Sequence, residues 1–336
     1  GGVAVLAFIL RRLVMLVPIL FLISIVSFVI IELPPGDWVT YQIESLRASG
    51  VDLNQDEADR MIAMYGFDQP AYMRYLRWME GILVDGNFGW SFQWNRTVNE
   101  LLAERLPLTL TISFLALFIS WLVAIPIGIY SATHQYSPGD YVFTFFGFIG
   151  LATPGFLLAM VMAWLVFRYL DFSPLGLYDV EYMGQPMTMD KFVNMLQHLV
   201  LPLMIIGLAG TGATIRVMRG NLLDELKKQY VITARAKGVS EMQLLFKYPV
   251  RMALNPVLST IGWVLPGIFS GEVLVSLILG LQTTGPLLLR AVLAQDMFLA
   301  GSIIMILSAL TVVGTLLSDI LLALIDPRIR YGGVGK

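Results

Sequence analysis

Six stretches of this chain are long enough to cross a bilayer and nearly free of charge, and no other feature constrains its fold as tightly. They are residues 13–31, 106–130, 142–167, 199–215, 257–281 and 298–325, interrupted only by Glu272 and Asp319. A hydrocarbon layer about 30 Å thick takes about 20 residues of helix. Within it, every backbone N–H and C=O must be bonded inside the segment, so runs of this kind resolve as helices. The composition agrees, with 57% of the 336 residues hydrophobic and 14% charged, where a soluble domain carries about 25% charge. The sequence predicts an all-α integral membrane protein with six transmembrane helices. The first run follows Arg11 and Arg12 but leads into IELPPGDW rather than a small-x-small cleavage site. It reads as a retained helix, not a signal peptide.

The placement of Lys and Arg sets the expected orientation. With the N-terminus inside, thirteen fall on the inner side: Arg11, Arg12, eight within 216–251, and Arg328, Arg330 and Lys336. Arg168, Lys191 and Arg290 fall in short outer segments, and six more lie within 32–105, a long loop that the positive-inside rule discounts. Both termini are therefore expected in the cytoplasm. Pro18, Pro107, Pro126, Pro154, Pro202 and Pro266 lie in or beside the runs, and residues 267–271 form a G-x-x-x-G. Kinking and close helix packing account for them; moving gates are the alternative.

Several chemistries are excluded. Without cysteine there is no thiol nucleophile or thiolate metal site, and His134 and His198 are too few for a histidine-rich one. The terminal GGVGK lacks the first Gly and the Ser or Thr of a phosphate-cradling G-x-x-x-x-G-K-[ST] loop. No bound cofactor, metal or nucleic-acid partner is expected.

A basic stretch, ITARAKGVSEMQLLFKYPVR, occupies residues 232–251 between two apolar runs. Leu222, Leu223, Leu226 and Tyr230 recur at helical spacing up to Lys237 and Gly238, the signature of a helix end. Ser240, Glu241, Met242 and Gln243 have the form of a capping box, with Val239 and Leu244 as its hydrophobic staple. A second helix of about two turns follows before Pro249, with Met242, Leu245 and Phe246 on one face. So short a helix is not stable alone in water. Its apolar face is buried against the chain's own membrane domain and lipid headgroups, or in a cytosolic partner.

The longer segment YVITARAKGVSEMQLLFKYPVRMALNPVL resembles the cytoplasmic loop of the ATP-binding-cassette (ABC) importer permeases of the dipeptide, oligopeptide and nickel group. Tyr230, Thr233, Ala234, Arg235, Ala236, Lys237, Gly238, Arg251, Ala253, Leu254 and Pro256 carry the match. The likeness continues in order through FILRRLVMLVPILFLISIVSFVIIELPPGD, DGNFGWSF, TVNELLAERLPLTLTIS and DPRIRYG. It implies a type I ABC importer permease fold: one permease domain over 1–336, with 32–105 a structured periplasmic insertion and 216–256 a cytoplasmic coupling loop. It also implies a non-catalytic subunit of a bacterial or archaeal plasma membrane. The implied partners are a second permease, two ATPase subunits that bind ATP and Mg, and an external substrate-binding protein. Ala234, Arg235, Ala236, Lys237, Gly238, Val239, Ser240, Glu241, Met242, Leu245 and Phe246 would then couple to the ATPase.

The resemblance has departures. Ile232 and Thr233 stand where many ABC importers carry an acidic residue, and Ser276 stands at a frequent Glu position, with Glu272 four residues earlier. Oligopeptides are the implied cargo, with oligosaccharides, opines and metal complexes as alternatives. A secondary transporter would show buried charge pairs and an inverted repeat, and an intramembrane enzyme would place a nucleophile near a histidine. Neither pattern is visible.

Residues 32–105 are too polar to span and too long for a turn. Asn54 and Glu57 read as a capping box for a helix that Gly66 closes, and Pro70 opens the next, with Tyr72, Tyr75, Leu76, Met79, Ile82 and Leu83 on one face. Trp38, Trp78, Trp90 and Trp94 fit an interfacial belt and packing, ring stacking on a ligand, or docking of the binding protein, for which Trp78, Trp90 and Trp94 are the candidates. Glu272 lies about 22 Å into its run at 1.5 Å per residue. Facing lipid there costs about 2.5–3.5 kcal/mol, so it lines the translocation path, with Ser276, Pro154 and Trp263, or bonds the partner permease. Asp319 reads as a structural pair or a helix-end acceptor.

Overall fold

A computed structural model of the chain describes residues 2–32, 40, 43–44, 48–49 and 68–325, with the backbone alone at 2–9, 31, 262–267, 270 and 321–325. The expected capping box at Asn54, the helix end at Gly66, Trp38 and the DPRIRYG segment lie outside the described residues. The elements are α1 (Gly2–Glu32), α2 (Ala71–Val84), β1 (Trp90–Ser91), β2 (Arg96–Thr97), α3 (Val98–Thr133), α4 (Pro138–Ala152) and α5 (Gly155–Leu170). After a 3-10 turn at Val180–Tyr182 come α6 (Met189–Leu226), α7 (Gln229–Ala236), α8 (Glu241–Lys247), α9 (Pro249–Ser259), α10 (Ile261–Leu279), α11 (Thr284–Leu293) and α12 (Met297–Ile325).

Among the described residues four helices are long and apolar enough to cross a membrane: Leu10–Ile30, Val98–Thr133, Met189–Leu226 and Met297–Ile320. Two bent pairs raise the number to six if each counts as one span. The third predicted run is thus not one straight helix, because α4 and α5 meet at 108°. Pro154 has no N–H to continue the ladder and forces Thr153 extended, at φ −90° and ψ 124°. The fifth run also divides at Thr260, whose N–H and hydroxyl both bond back to the Val257 carbonyl, at 3.1 and 2.6 Å. Its far end turns through 90° into α11 after Gly280, which takes the left-handed conformation at φ +67°. Pro18 and Pro202, by contrast, sit inside α1 and α6 without ending them.

The chain forms two compact units: Leu13–Leu108 with Gln282–Leu310, and Gly1–Arg12 with Thr109–Leu281 and Thr311–Lys336. The core of the first joins Val98, Leu101 and Leu102 of α3 to Leu287 and Ala291 of α11 and Leu299 and Ile303 of α12. Buried Asp296 caps α12 and holds the hairpin, accepting from Ser91 Oγ at 2.6 Å and the Gln93 N–H at 3.1 Å. Helix α2 docks on α1 through a 2.8 Å hydrogen bond between Ser24 and Tyr75, and its Trp78 is buried with Nε1 donating to the Phe88 carbonyl. The face expected of α2 is only partly right. Tyr75, Met79 and Ile82 are half-buried, whereas Tyr72, Leu76 and Leu83 are exposed, because the helix seats on Trp78, one position off that stripe.

In the second unit Met218 and Leu222 of α6 pack on Val250, Ala253 and Val257 of α9 and on Ala132 of α3. Helices α4 and α6 cross at glycines, where a β-carbon on Gly212 would stand 2.3 Å from the Gly147 oxygen. Asp319 is a structural pair, as expected, with its Oδ2 3.0 Å from Arg12 Nη1. At 38 residues, or about 57 Å at 1.5 Å per residue, α6 runs far beyond its predicted apolar part. His198 is fully buried, with Nδ1 2.9 Å from the Asn194 carbonyl.

Candidate functional site

The predicted break at Gly238 is present, and its backbone explains its sharpness. Helix α7 ends at Ala236, Lys237 is its C-cap, and Gly238 is left-handed at φ +78°. The Gly238 N–H bonds the Arg235 carbonyl at 3.0 Å and the Val239 N–H reaches the Ala234 carbonyl at 3.4 Å, the paired closure of a Schellman motif. Nothing lies within 4 Å of where a β-carbon on Gly238 would stand. Conformation, not crowding, calls for glycine there.

The capping box does not form. Ser240 is the N-cap of α8, but its hydroxyl makes no capping bond, and the expectation is corrected. Glu241 turns back instead, accepting Arg235 Nε at 2.6 Å and Nη2 at 3.0 Å in a two-point ion pair across the glycine. Those bonds hold the Arg235 guanidinium above its ordinary pKa and the Glu241 carboxyl below its own. Sequence reasoning named both residues and missed their pairing, whose only signal was opposite charge on either side of the break. A second corner was missed entirely: α6 stops at Leu226 and Lys228 is extended before α7. There Tyr230 and Lys228 both donate to the Glu225 carboxylate. Burial, and then that bond, push the Tyr230 hydroxyl well above its usual pKa.

The two short helices are anchored by single residues, Val231 of α7 and Leu244 of α8, each fully buried. Leu245 is half-buried, while Met242 and Phe246 are exposed at 70% and 53%. Leu245 packs against the core that Met218, Val250 and Ala253 share, so the part of the expected apolar face left outward on α8 is Met242 and Phe246. Ala234 and Val239 are half-buried, and Ala236 and Lys237 are exposed. Pro249 opens α9, which returns to pack on α6.

The other candidates are scattered. Glu272 and Ser276 lie one turn apart in α10, both buried, with the Ser276 hydroxyl donating to the Glu272 carboxylate. A cavity of about 310 Å³ beside them is lined by Leu151, Gly155, Ile205, Ala209, Gly271 and Val275, among others, and neither Glu272 nor Ser276 faces it. Pro154 is exposed at the α4–α5 bend. The Trp263 side chain lies outside the described residues. Of the tryptophans, Trp90 is exposed and Trp94 packs against the α3–α11–α12 core. Trp78 is buried, at 5% exposure, with its indole N–H bonded to the Phe88 carbonyl.

Residues 124–331 match the family described as "Binding-protein-dependent transport system inner membrane component", and residues 5–113 match the corresponding N-terminal family. The oligopeptide transport system permease protein AppB of Bacillus subtilis (strain 168) is 36% identical over 326 residues, covering 97% of this chain and 99% of that protein. OppB of Haemophilus influenzae, named likewise, is 30% identical over 327 residues, 97% of this chain and 100% of its own. A putative peptide permease protein of Brucella ovis is 32% identical over 322 residues, 96% and 98% of the two chains. Matched by the family models over residues 5–113 and 124–331, the chain belongs to the binding-protein-dependent transport system inner membrane component family, the permease part of ABC importers.

Proposed function

We propose that this chain forms half of the translocation path of an ATP-driven importer of oligopeptides in a bacterial or archaeal inner membrane, with both termini in the cytoplasm. A second permease completes the path, two ATPase subunits bind ATP and Mg, and an external binding protein delivers cargo. The cargo class follows the names of the relatives, two of which are called oligopeptide transport permeases. The observation that carries the motor contact is the pair Met242 and Phe246, large apolar side chains held outward on a helix whose inward side is already anchored by Leu244. Exposed apolar side chains on a rigid projection mark a docking surface. Closure of the ATPases would pull α8, with residues 234–241 transmitting the pull through the glycine corner. Glu272, Ser276, Pro154 and Trp263 remain the candidates along the path, and Trp78, Trp90 and Trp94 those for the binding protein.

The test is uptake of a labelled oligopeptide into vesicles holding the full transporter. Met242→Ser with Phe246→Ser should abolish ATP-driven uptake and release the ATPase from the purified complex, while membrane insertion is unchanged. Normal uptake by that variant would overturn the motor contact.

A further inference from the structure

The groove beside the α4–α6 crossing is charged at one end and apolar at the other. It encloses about 110 Å³ and is bounded by Phe143, Phe148 and Leu151 of α4 and by Ile215, Arg216 and Arg219 of α6. The glycine contact fixes it, since a β-carbon on Gly212, which lines it beside Gly147, would collide with the Gly147 backbone oxygen. Arg219 is already committed, donating through Nη2 to Asp140 at 2.9 Å and through Nε to the Ser131 carbonyl at 3.3 Å. Arg216, one turn away and exposed, lies with its guanidinium carbon 5.1 Å from the Phe148 ring centroid. No ion pair with a carboxylate is formed by Arg216 among the described residues. Of the two guanidinium groups Arg219 alone has a carboxylate partner, and the groove is left positive. Outside it, Tyr141, Phe145 and Phe146 are exposed along α4, a surface suited to acyl chains.

We propose that this groove binds an anionic phospholipid, with its phosphate between Arg216 and Arg219 and one acyl chain lying along Phe148 and Leu151 toward Gly212. A guanidinium stacked on an aromatic ring is preorganised and keeps its outward N–H groups for a phosphate. Basic pockets between membrane helices select anionic headgroups on this principle. A free phosphate ion would satisfy Arg216 but leave the apolar half of the groove unfilled. The inference needs only that the chain is membrane-embedded, and it stands apart from the cargo and the motor.

Native mass spectrometry of the full chain, purified in detergent and supplied with phosphatidylglycerol, phosphatidylcholine or inorganic phosphate, tests it. Phosphatidylglycerol should be retained in preference to phosphatidylcholine and not displaced by phosphate. Arg216→Gln should lower that retention about fivefold, Arg216→Lys less, and Arg168→Gln, at a distant basic residue, not at all. Leu151→Trp, which fills the apolar end, gives a second route to the same loss should Arg216→Gln prove unstable. Equal retention of the two lipids, or retention untouched by both groove variants, would overturn the proposal. So would displacement by phosphate, or a photo-crosslinker at Phe145 that captures a second permease rather than lipid.

Discussion

Gly238 concentrates the demands of the projection in one residue. Any side chain there is held left-handed at a cost of about 1–2 kcal/mol, a factor of about 5–30 in how often the corner is formed. Gly238→Val should therefore cut peptide uptake by about that factor while the ATPase still turns over, measured as uptake per ATP hydrolysed. The Arg235–Glu241 pair makes a different prediction, because its charges are set by each other. A carboxyl with a lowered folded pKa contributes stability above its unfolded value, and that contribution disappears as pH falls through the lowered value. Between about pH 6 and pH 8 the pair should thus be constant, and uptake by Glu241→Gln should parallel the wild type across that window. The double variant with Arg235→Gln should do no worse than either single change, since all three remove the same contact. The glycine was legible in the sequence because a left-handed cap is a local requirement. The Arg235–Glu241 pairing was not, because those two side chains meet only once the turn has folded.

At the level of helices the same residue type gave opposite outcomes, and position decides. Pro18 and Pro202 lie within helices that continue, while Pro154 stands with a glycine after it and an extended threonine before it and produces a 108° bend. Apolar runs locate helices but not their corners, which depend on who supplies the freed backbone groups with partners. Trp78 illustrates the same limit: its ring looks like any other in an aromatic loop until the Phe88 carbonyl meets its indole N–H. Close approach is equally hidden in a sequence. Gly212→Ala forces a β-carbon to within 2.3 Å of a backbone oxygen of α4, and it should lower the melting temperature of the purified chain. Gly220→Ala, on the same helix with nothing within 4 Å, should raise stability by about 0.5–1 kcal/mol through backbone entropy alone. Equal melting temperatures for the two variants would show that the crossing is looser than described.

Orientation belongs to the molecule as a whole, and the chain is well suited to testing it because it has no cysteine of its own. Phe246→Cys should react with an impermeant thiol reagent only from the cytoplasmic side, and Val180→Cys, at a position 79% exposed, only from outside. The reverse pattern would invert the topology that the basic residues predict. Whichever way it faces, α6 reaches from the Asp179–Asn194 hydrogen bonds near its start to the clamp at Glu225 as one continuous element. A rod about 57 Å long that pivots by about five degrees sweeps its tip through about 5 Å, close to one helical pitch. Signals need no relay of repacked side chains to travel that distance. By the same geometry, a small tilt at the Asn194 end of α6 is felt in full at its Glu225 end, so the two ends are not free to diverge independently.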